Sequence, residues 1–280
     1  MPVGTHGRNH MEQGKTGIVV VSFGTSHEDT RKKTIDTIEK EIENVYTDSN
    51  IYTAWTSKML IKKLEKRDGY HVDTVREAME RMKKDGISHV IIQPTHVLNG
   101  IENERMKEEA MAFAKEFISI SFGTPLLTTE DDSRRVLEIL TEAFAPLSDD
   151  TALVFLGHGT PHYINGVYGK LDCQLKNMGY KNIYIGTVEA YPSIETIKEK
   201  ITEERYRKVI LAPFMIVAGE HAKSDMAGDG EDSWKRQFEQ IGCKVECVFQ
   251  GLGEYKEIRK IFLEHLKEAF EEAKRQEEGE

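Results

Sequence analysis

The sequence predicts an α/β protein of two similar domains, each a four-stranded parallel sheet flanked by helices, with the active site in the cleft between them. Three observations predict it. Short β-branched runs alternate with longer helical stretches along the whole chain, the pattern of parallel strands joined by crossover helices. The two halves of the chain resemble each other in sequence. Finally, 280 residues with 39% hydrophobic and 31% charged side chains suffice for two ordinary domains with real cores.

Taken in order, residues 1–16 are polar and lack the apolar centre of a signal peptide, so they are expected to be a disordered lead-in. An amino-terminal domain is expected over 17–128, with strands at 17–23, 50–55, 89–93 and 118–122; runs such as Ile18-Val19-Val20-Val21 suit strands buried on both faces. Thr124-Pro125 and the acidic Glu130-Asp131-Asp132 place the join near 124–132, where a helix opens. The carboxyl-terminal domain, 129–254, carries strands at 152–156, 183–187, 208–213 and 244–249. A helix at about 255–274 ends the chain, and its charged tail from Glu268 reads as solvated surface.

A duplication explains the likeness of the halves. Val19-Val20-Val21-Ser22-Phe23-Gly24-Thr25 matches Leu153-Val154-Phe155-Leu156-Gly157-His158-Gly159-Thr160 after a one-residue adjustment, each a buried strand ending in a glycine turn. His89-Val90-Ile91-Ile92-Gln93-Pro94, with Gly100 beyond it, parallels Lys208-Val209-Ile210-Leu211-Ala212-Pro213 with Gly219 at the same offset. Two open sheets facing each other leave a cleft beyond the carboxyl ends of their strands, where such sheets bind ligands.

Composition excludes several function classes. A net charge of −10 without a clustered basic face argues against nucleic-acid binding. Apolar runs are too short for a membrane span. Cys173, Cys243 and Cys247 are odd in number and form no CxxC pair, which suits reduced thiols and, with the polar amino terminus, a cytoplasmic protein. No GxxxxGK[ST] loop offers ATP a site. Self-association is left open, because exposed and interface apolar residues look alike in one sequence.

Three residues carry the chemistry. His158 follows the strand at 152–156 in Gly157-His158-Gly159-Thr160, Glu189 follows the strand at 183–187, and His221 follows the strand at 208–213. They lie 31 and 32 residues apart, about one strand-helix unit each, so all three emerge at the carboxyl edge of one sheet. Two imidazoles and a carboxylate suit Co, Ni, Fe or Zn and leave coordination positions for a substrate. Singly, each residue also has a structural explanation as a cap, a helix-start acid or loop surface. On these residues alone a metal-assisted hydrolase fits as well.

The pieces Val21-Ser22-Phe23-Gly24-Thr25-Ser26, Leu156-Gly157-His158-Gly159-Thr160, Val188-Glu189-Ala190-Tyr191-Pro192 and Ala218-Gly219-Glu220-His221-Ala222-Lys223-Ser224-Asp225-Met226-Ala227-Gly228 resemble the anaerobic class II cobalt chelatases, similar in fold to ferrochelatase. The resemblance spans nearly the whole chain. It implies insertion of Co2+ as substrate metal into a tetrapyrrole, sirohydrochlorin or precorrin-2, without ATP, in cobalamin biosynthesis. It implies that His158, Glu189 and His221 bind the incoming metal, and that the last helix packs back on the first domain. Fe2+, Ni2+ or Zn2+ as the metal, and a non-catalytic tetrapyrrole or metal carrier, are the competing readings.

The substrate's carboxylates need local donors. Thr25 and Ser26 at a strand-to-helix turn, with Lys223 and Arg105, are the candidates, each with a plain alternative as a cap or a solvated side chain. His96 ends the corresponding strand of the first half and is a candidate tetrapyrrole contact or extra ligand. His27 and His162 follow glycine turns and are expected at the mouth, whereas His6, His10, His71 and His265 read as surface.

Overall fold

The structure is a computed structural model and describes residues 14–278. Its strands are β1 (Lys15–Ser22), β2 (Asn50–Trp55), β3 (Ile87–Pro94), β4 (Ser119–Phe122), β5 (Thr151–Gly157), β6 (Ile183–Thr187), β7 (Lys208–Pro213) and β8 (Lys244–Cys247). They form two four-stranded parallel sheets with the same order, β2-β1-β3-β4 and β6-β5-β7-β8. Crossover helices are α1 (Glu28–Lys33), α2 (Ile35–Val45), α3 (Lys58–Asp68), α4 (Val75–Lys84) and α5 (Ile101–Met111) in the first half. After α6 (Glu130–Ala143), the second half has α7 (Gly166–Asn177), α8 (Ile194–Glu203) and α9 (Trp234–Gln240), and α10 (Lys256–Glu278) closes the chain.

Burial follows strand position. Ile18 to Val21 of β1 and Ala152 to Leu156 of β5 are at most 1% exposed, because each strand is paired on both sides and covered on both faces. The edge strand β8 alternates exposed and half-buried residues. Helix starts are written locally: Thr74 with Glu77 and Thr129 with Asp132 form reciprocal capping boxes at α4 and α6. Such caps contribute about 1 kcal/mol each. The second lies within the expected join.

Helix α10 buries Ile258, Ile261, Phe262, Leu266, Ala269, Phe270 and Ala273, spaced three and four apart on one stripe. They share a cluster with Ile18, Val20 and Ile91 of the first sheet. Phe270 stacks on Tyr46 with ring centroids 4.8 Å apart, and Arg259 donates to Glu41 at 2.8 Å. Helix α10 thus ties the end of the chain to the sheet at its beginning.

Three expectations need correction. The charged tail from Glu268 is not all solvated surface, since Ala269, Phe270 and Ala273 are buried. The lead-in over 1–16 ends too late, since Lys15 and Thr16 already belong to β1; residues 1–13, with His6 and His10, lie outside the described residues. His265 is not on the surface. Its side chain is 6% exposed, with Nδ1 3.2 Å from Thr124 O and Nε2 3.2 Å from Asp132 Oδ1. It lies on the apolar stripe, four residues after Ile261 and four before Ala269, so α10 carries it inward. No helix among the described residues is long and apolar enough to cross a membrane.

Candidate metal centre

His158, Glu189 and His221 each bring one ligand atom to within 4.8 Å of the other two. Backbone pairing that runs past the strand ends sets the first two. Val188 N donates to Gly157 O and Glu189 N to His158 O, both at 3.0 Å, so β5 and β6 stay zipped for two residues beyond their ends. Gly159 then turns the chain with φ +82°, a conformation open to glycine, and passes so close to Ala190 N that a Cβ would lie 2.9 Å from it. The loop after Glu189 is braced by Asn165, which donates to Tyr191 O at 2.7 Å, and by Thr187 N, which donates to Pro192 O at 2.7 Å.

His221 arrives from β7. It precedes one π-helical turn, Ala222–Met226, whose Ala222 and Met226 anchor in the core. Widened turns of this kind recur at functional sites. The turn brings Asp225 Oδ2 to 2.6 Å from His221 Nδ1. A carboxylate accepts, so Nδ1 donates and Nε2 keeps the lone pair that a metal needs. His158 is set in the same way, its Nδ1 donating to Gly159 O at 2.8 Å. The two imidazoles meet edge to face, centroids 4.6 Å apart and planes 89° apart. All three side chains are roughly half-exposed, so the centre is open to a large substrate.

Interdomain contacts flank the centre. His27 Nε2 lies 3.1 Å from Glu220 Oε2, and Lys223 Nζ lies 3.2 Å from His27 Nδ1 and 3.4 Å from Asp29. Hydrogen bonds from Ser224 and His27 hold the Glu220 carboxyl below its usual range. His162 Nε2 reaches Glu104 at 3.3 Å. His27 and His162 therefore join the halves.

A sequence profile of the family described as Cobalt chelatase (CbiK) matches residues 16–271. The chain belongs to the cobalt chelatase (CbiK) family. It is 35% identical over 255 residues to a sirohydrochlorin cobaltochelatase of Salmonella typhimurium, covering 91% of this chain and 96% of that one. It is 27% identical over 262 residues to sirohydrochlorin cobaltochelatase CbiKC of Nitratidesulfovibrio vulgaris, covering 92% of each. Among solved structures, SirB from Bacillus subtilis with Fe3+ shares the fold, with a TM-score of 0.66 at 14% identity over 94% of this chain and 98% of that one.

In this chelatase-family chain the other candidate residues fall in different places. His96 stands outside the three-residue cluster, both ring nitrogens enclosed and without a partner, and burial pushes its pKa down to about 4. Lys223 reaches across to His27 and Asp29 of the first half. Thr25 and Ser26 are nearly enclosed, Thr25 Oγ1 accepts from His27 N at 3.2 Å, and His27 itself stands at the cap position of α1. Arg105 is an exposed side chain 3.5 Å from Glu102. Asp225 is the residue that sequence reasoning left without a role. Its spacing of four from His221 was the available signal, since helical turns bring such pairs together.

Proposed function

We propose that this protein inserts Co2+ into sirohydrochlorin, a metal-inserting lyase that works without ATP and receives the metal on His158, Glu189 and His221. What carries the reading is the convergence of two imidazoles and a carboxylate at one sheet edge in a chain of the cobalt chelatase family. The names of the Salmonella and Nitratidesulfovibrio relatives supply the substrate.

The chemistry follows from the parts. Nε2 of His158 and of His221 present lone pairs, already oriented by hydrogen bonds at Nδ1, so little ordering is left when Co2+ arrives. Three protein ligands leave positions at which ring nitrogens replace water. Insertion releases two protons from the pyrrole nitrogens for each Co2+ taken up. Glu189, half-exposed beside His158, is the base within reach of that position and passes the protons to solvent.

The test is anaerobic conversion of sirohydrochlorin followed by its visible spectrum, with Co2+, Fe2+, Ni2+ or Zn2+ offered separately and with or without ATP. Multiple turnovers, fastest with Co2+ and indifferent to ATP, are expected. Tight binding of the macrocycle with no turnover would instead make the protein a tetrapyrrole carrier.

A further inference from the structure

We propose that His71, Asp73 and Glu77 form a second divalent-cation site, for a borderline ion such as Co2+, Ni2+ or Zn2+, beside the edge strand β2 of the first sheet. The half of the chain that carries it contributes no ligand to the first centre. One ligand atom from each of the three residues lies within 4.8 Å of the other two.

The distances from the histidine to the two carboxylates suit the ligands of one ion. His71 Nε2 is 3.5 Å from Glu77 Oε2 and 3.9 Å from Asp73 Oδ1. Two donors about 2.1 Å from one tetrahedral ion stand about 3.4 Å apart, whereas an N–H to carboxylate hydrogen bond closes to about 2.9 Å. The other ring nitrogen, Nδ1, faces a further carboxylate, Glu65 Oε1, at 3.7 Å. A carboxylate behind a histidine whose opposite nitrogen faces two more oxygens is the usual outer arrangement of a metal-binding imidazole.

Both carboxylates are held in place before any ion binds. Asp73 is 8% exposed, and its carbonyl accepts from Trp55 N at 2.9 Å, so its backbone extends the sheet edge. Glu77 is fixed by Thr74, whose N–H donates to Oε2 at 2.7 Å in the capping box of α4. Beside the cluster is a cavity of about 340 Å3 lined by His71, Asp73 and Trp55, which gives room for water on the open coordination positions. Trp55, whose buried indole N–H has no partner, is among the residues that line it. One cation already competes: Arg81 donates to Asp73 Oδ1 at 2.8 Å through a side chain 59% exposed, free to swing into solvent when the ion arrives.

Equilibrium dialysis of the full chain against Co2+ alone, under anaerobic conditions, tests the site. His71→Ala is expected to bind one equivalent fewer than the unsubstituted protein, and one fewer again when introduced beside His158→Ala and His221→Ala, while sirohydrochlorin turnover of the single variant is unchanged. Arg81→Met is expected to tighten the His71-dependent equivalent severalfold by removing the competing cation. Any Co2+ taken up elsewhere on the chain is common to all variants and cancels in the difference. Equal uptake with and without His71 in both backgrounds would overturn the proposal and leave the cluster an ion-pair network of the capping turn.

Discussion

The carboxyl edges of the two sheets share a backbone and differ in what they present. Past β1, Thr56 N donates to Ser22 O and Ser57 N to Phe23 O; past β5, Val188 N donates to Gly157 O and Glu189 N to His158 O. Each edge turns on a glycine of positive φ, Gly24 at +102° and Gly159 at +82°. Each turn is closed by a threonine hydroxyl that accepts from a histidine N–H two residues on, Thr25 from His27 and Thr160 from His162, both at 3.2 Å. Beyond the third strands, Glu104 N bonds to Gly100 O as Lys223 N bonds to Gly219 O. Phe23, Ser57 and Glu102 therefore stand where the second half has His158, Glu189 and His221. The duplicated backbone supplies convergence twice, and the choice of side chains gathers two imidazoles and a carboxylate at one edge. The other edge keeps a half-exposed phenylalanine, suited to the face of an apolar ring.

Substitutions at matched positions sharpen the contrast. The largest effect is expected from His158→Ala or His221→Ala, a loss of at least about a hundredfold in kcat with the melting temperature unchanged, because half-exposed ligands contribute little to the core. At the matching place on the first edge, Phe23→Ala is expected to raise KM by about tenfold and spare kcat, the cost of one lost apolar contact. Comparable kcat losses at the two positions, in steady-state kinetics, would erase the asymmetry. Asp225→Asn is expected to weaken Co2+ binding by about ten- to a hundredfold through loss of the His221 orientation, and Asp225→Glu, which keeps the carboxylate, to recover part of that loss. Calorimetric titration with Co2+ checks the pair; equal weakening in both would assign Asp225 a packing role instead.

The halves also differ in how they treat a covered carboxylate. Asp172 on α7 and Glu39 on α2 each leave one carboxylate oxygen buried without a hydrogen-bond partner, but Asp172 has Lys176 and Lys200 each 3.6 Å away. Burial pushes the Glu39 pKa up from 4.5 to about 7. Its folded-state value is raised, so the folded chain holds a proton that the unfolded chain has lost, and stability falls as pH rises from about 4.5 through about 7. Glu39→Gln is expected to remove that slope and to stabilise the protein by about 2 kcal/mol at pH 8 with no gain at pH 4. Urea unfolding at the two pH values checks it; equal effects at both would mean that the carboxyl is solvated. The smallest effect is expected at Arg105→Ala, an exposed side chain, with turnover unchanged within about twofold.

Much of this was legible because the strands are short apolar runs between helices. β2, β6 and β7 fall on residues 50–55, 183–187 and 208–213 as read from the sequence, and β3 gains only Ile87, Ser88 and Pro94 at its ends. The convergence of His158, Glu189 and His221 was legible through strand-end spacing, which converts positions 31 and 32 residues apart into neighbours. The contacts of Lys223 with His27 and Asp29 were not legible, because these come from the other half and packing between halves leaves no local signal. His265 misled for a different reason: a charged helix was read by composition, when its position on the Ile261-Phe262-Leu266-Ala269 stripe already placed it inside. His96 sits at a strand end as His158 does, and the enclosure of its ring nitrogens depends on packing beyond the strand itself.

Cobalt X-ray absorption tests the central claim most directly, using the His71→Ala protein loaded with one equivalent of Co2+ so that the proposed second site does not contribute. The account predicts two imidazole nitrogens and a carboxylate oxygen on the ion, and loss of both imidazoles when His158 and His221 are also replaced by alanine. An unchanged cobalt environment in that triple variant would contradict it and move the metal away from the second sheet's edge.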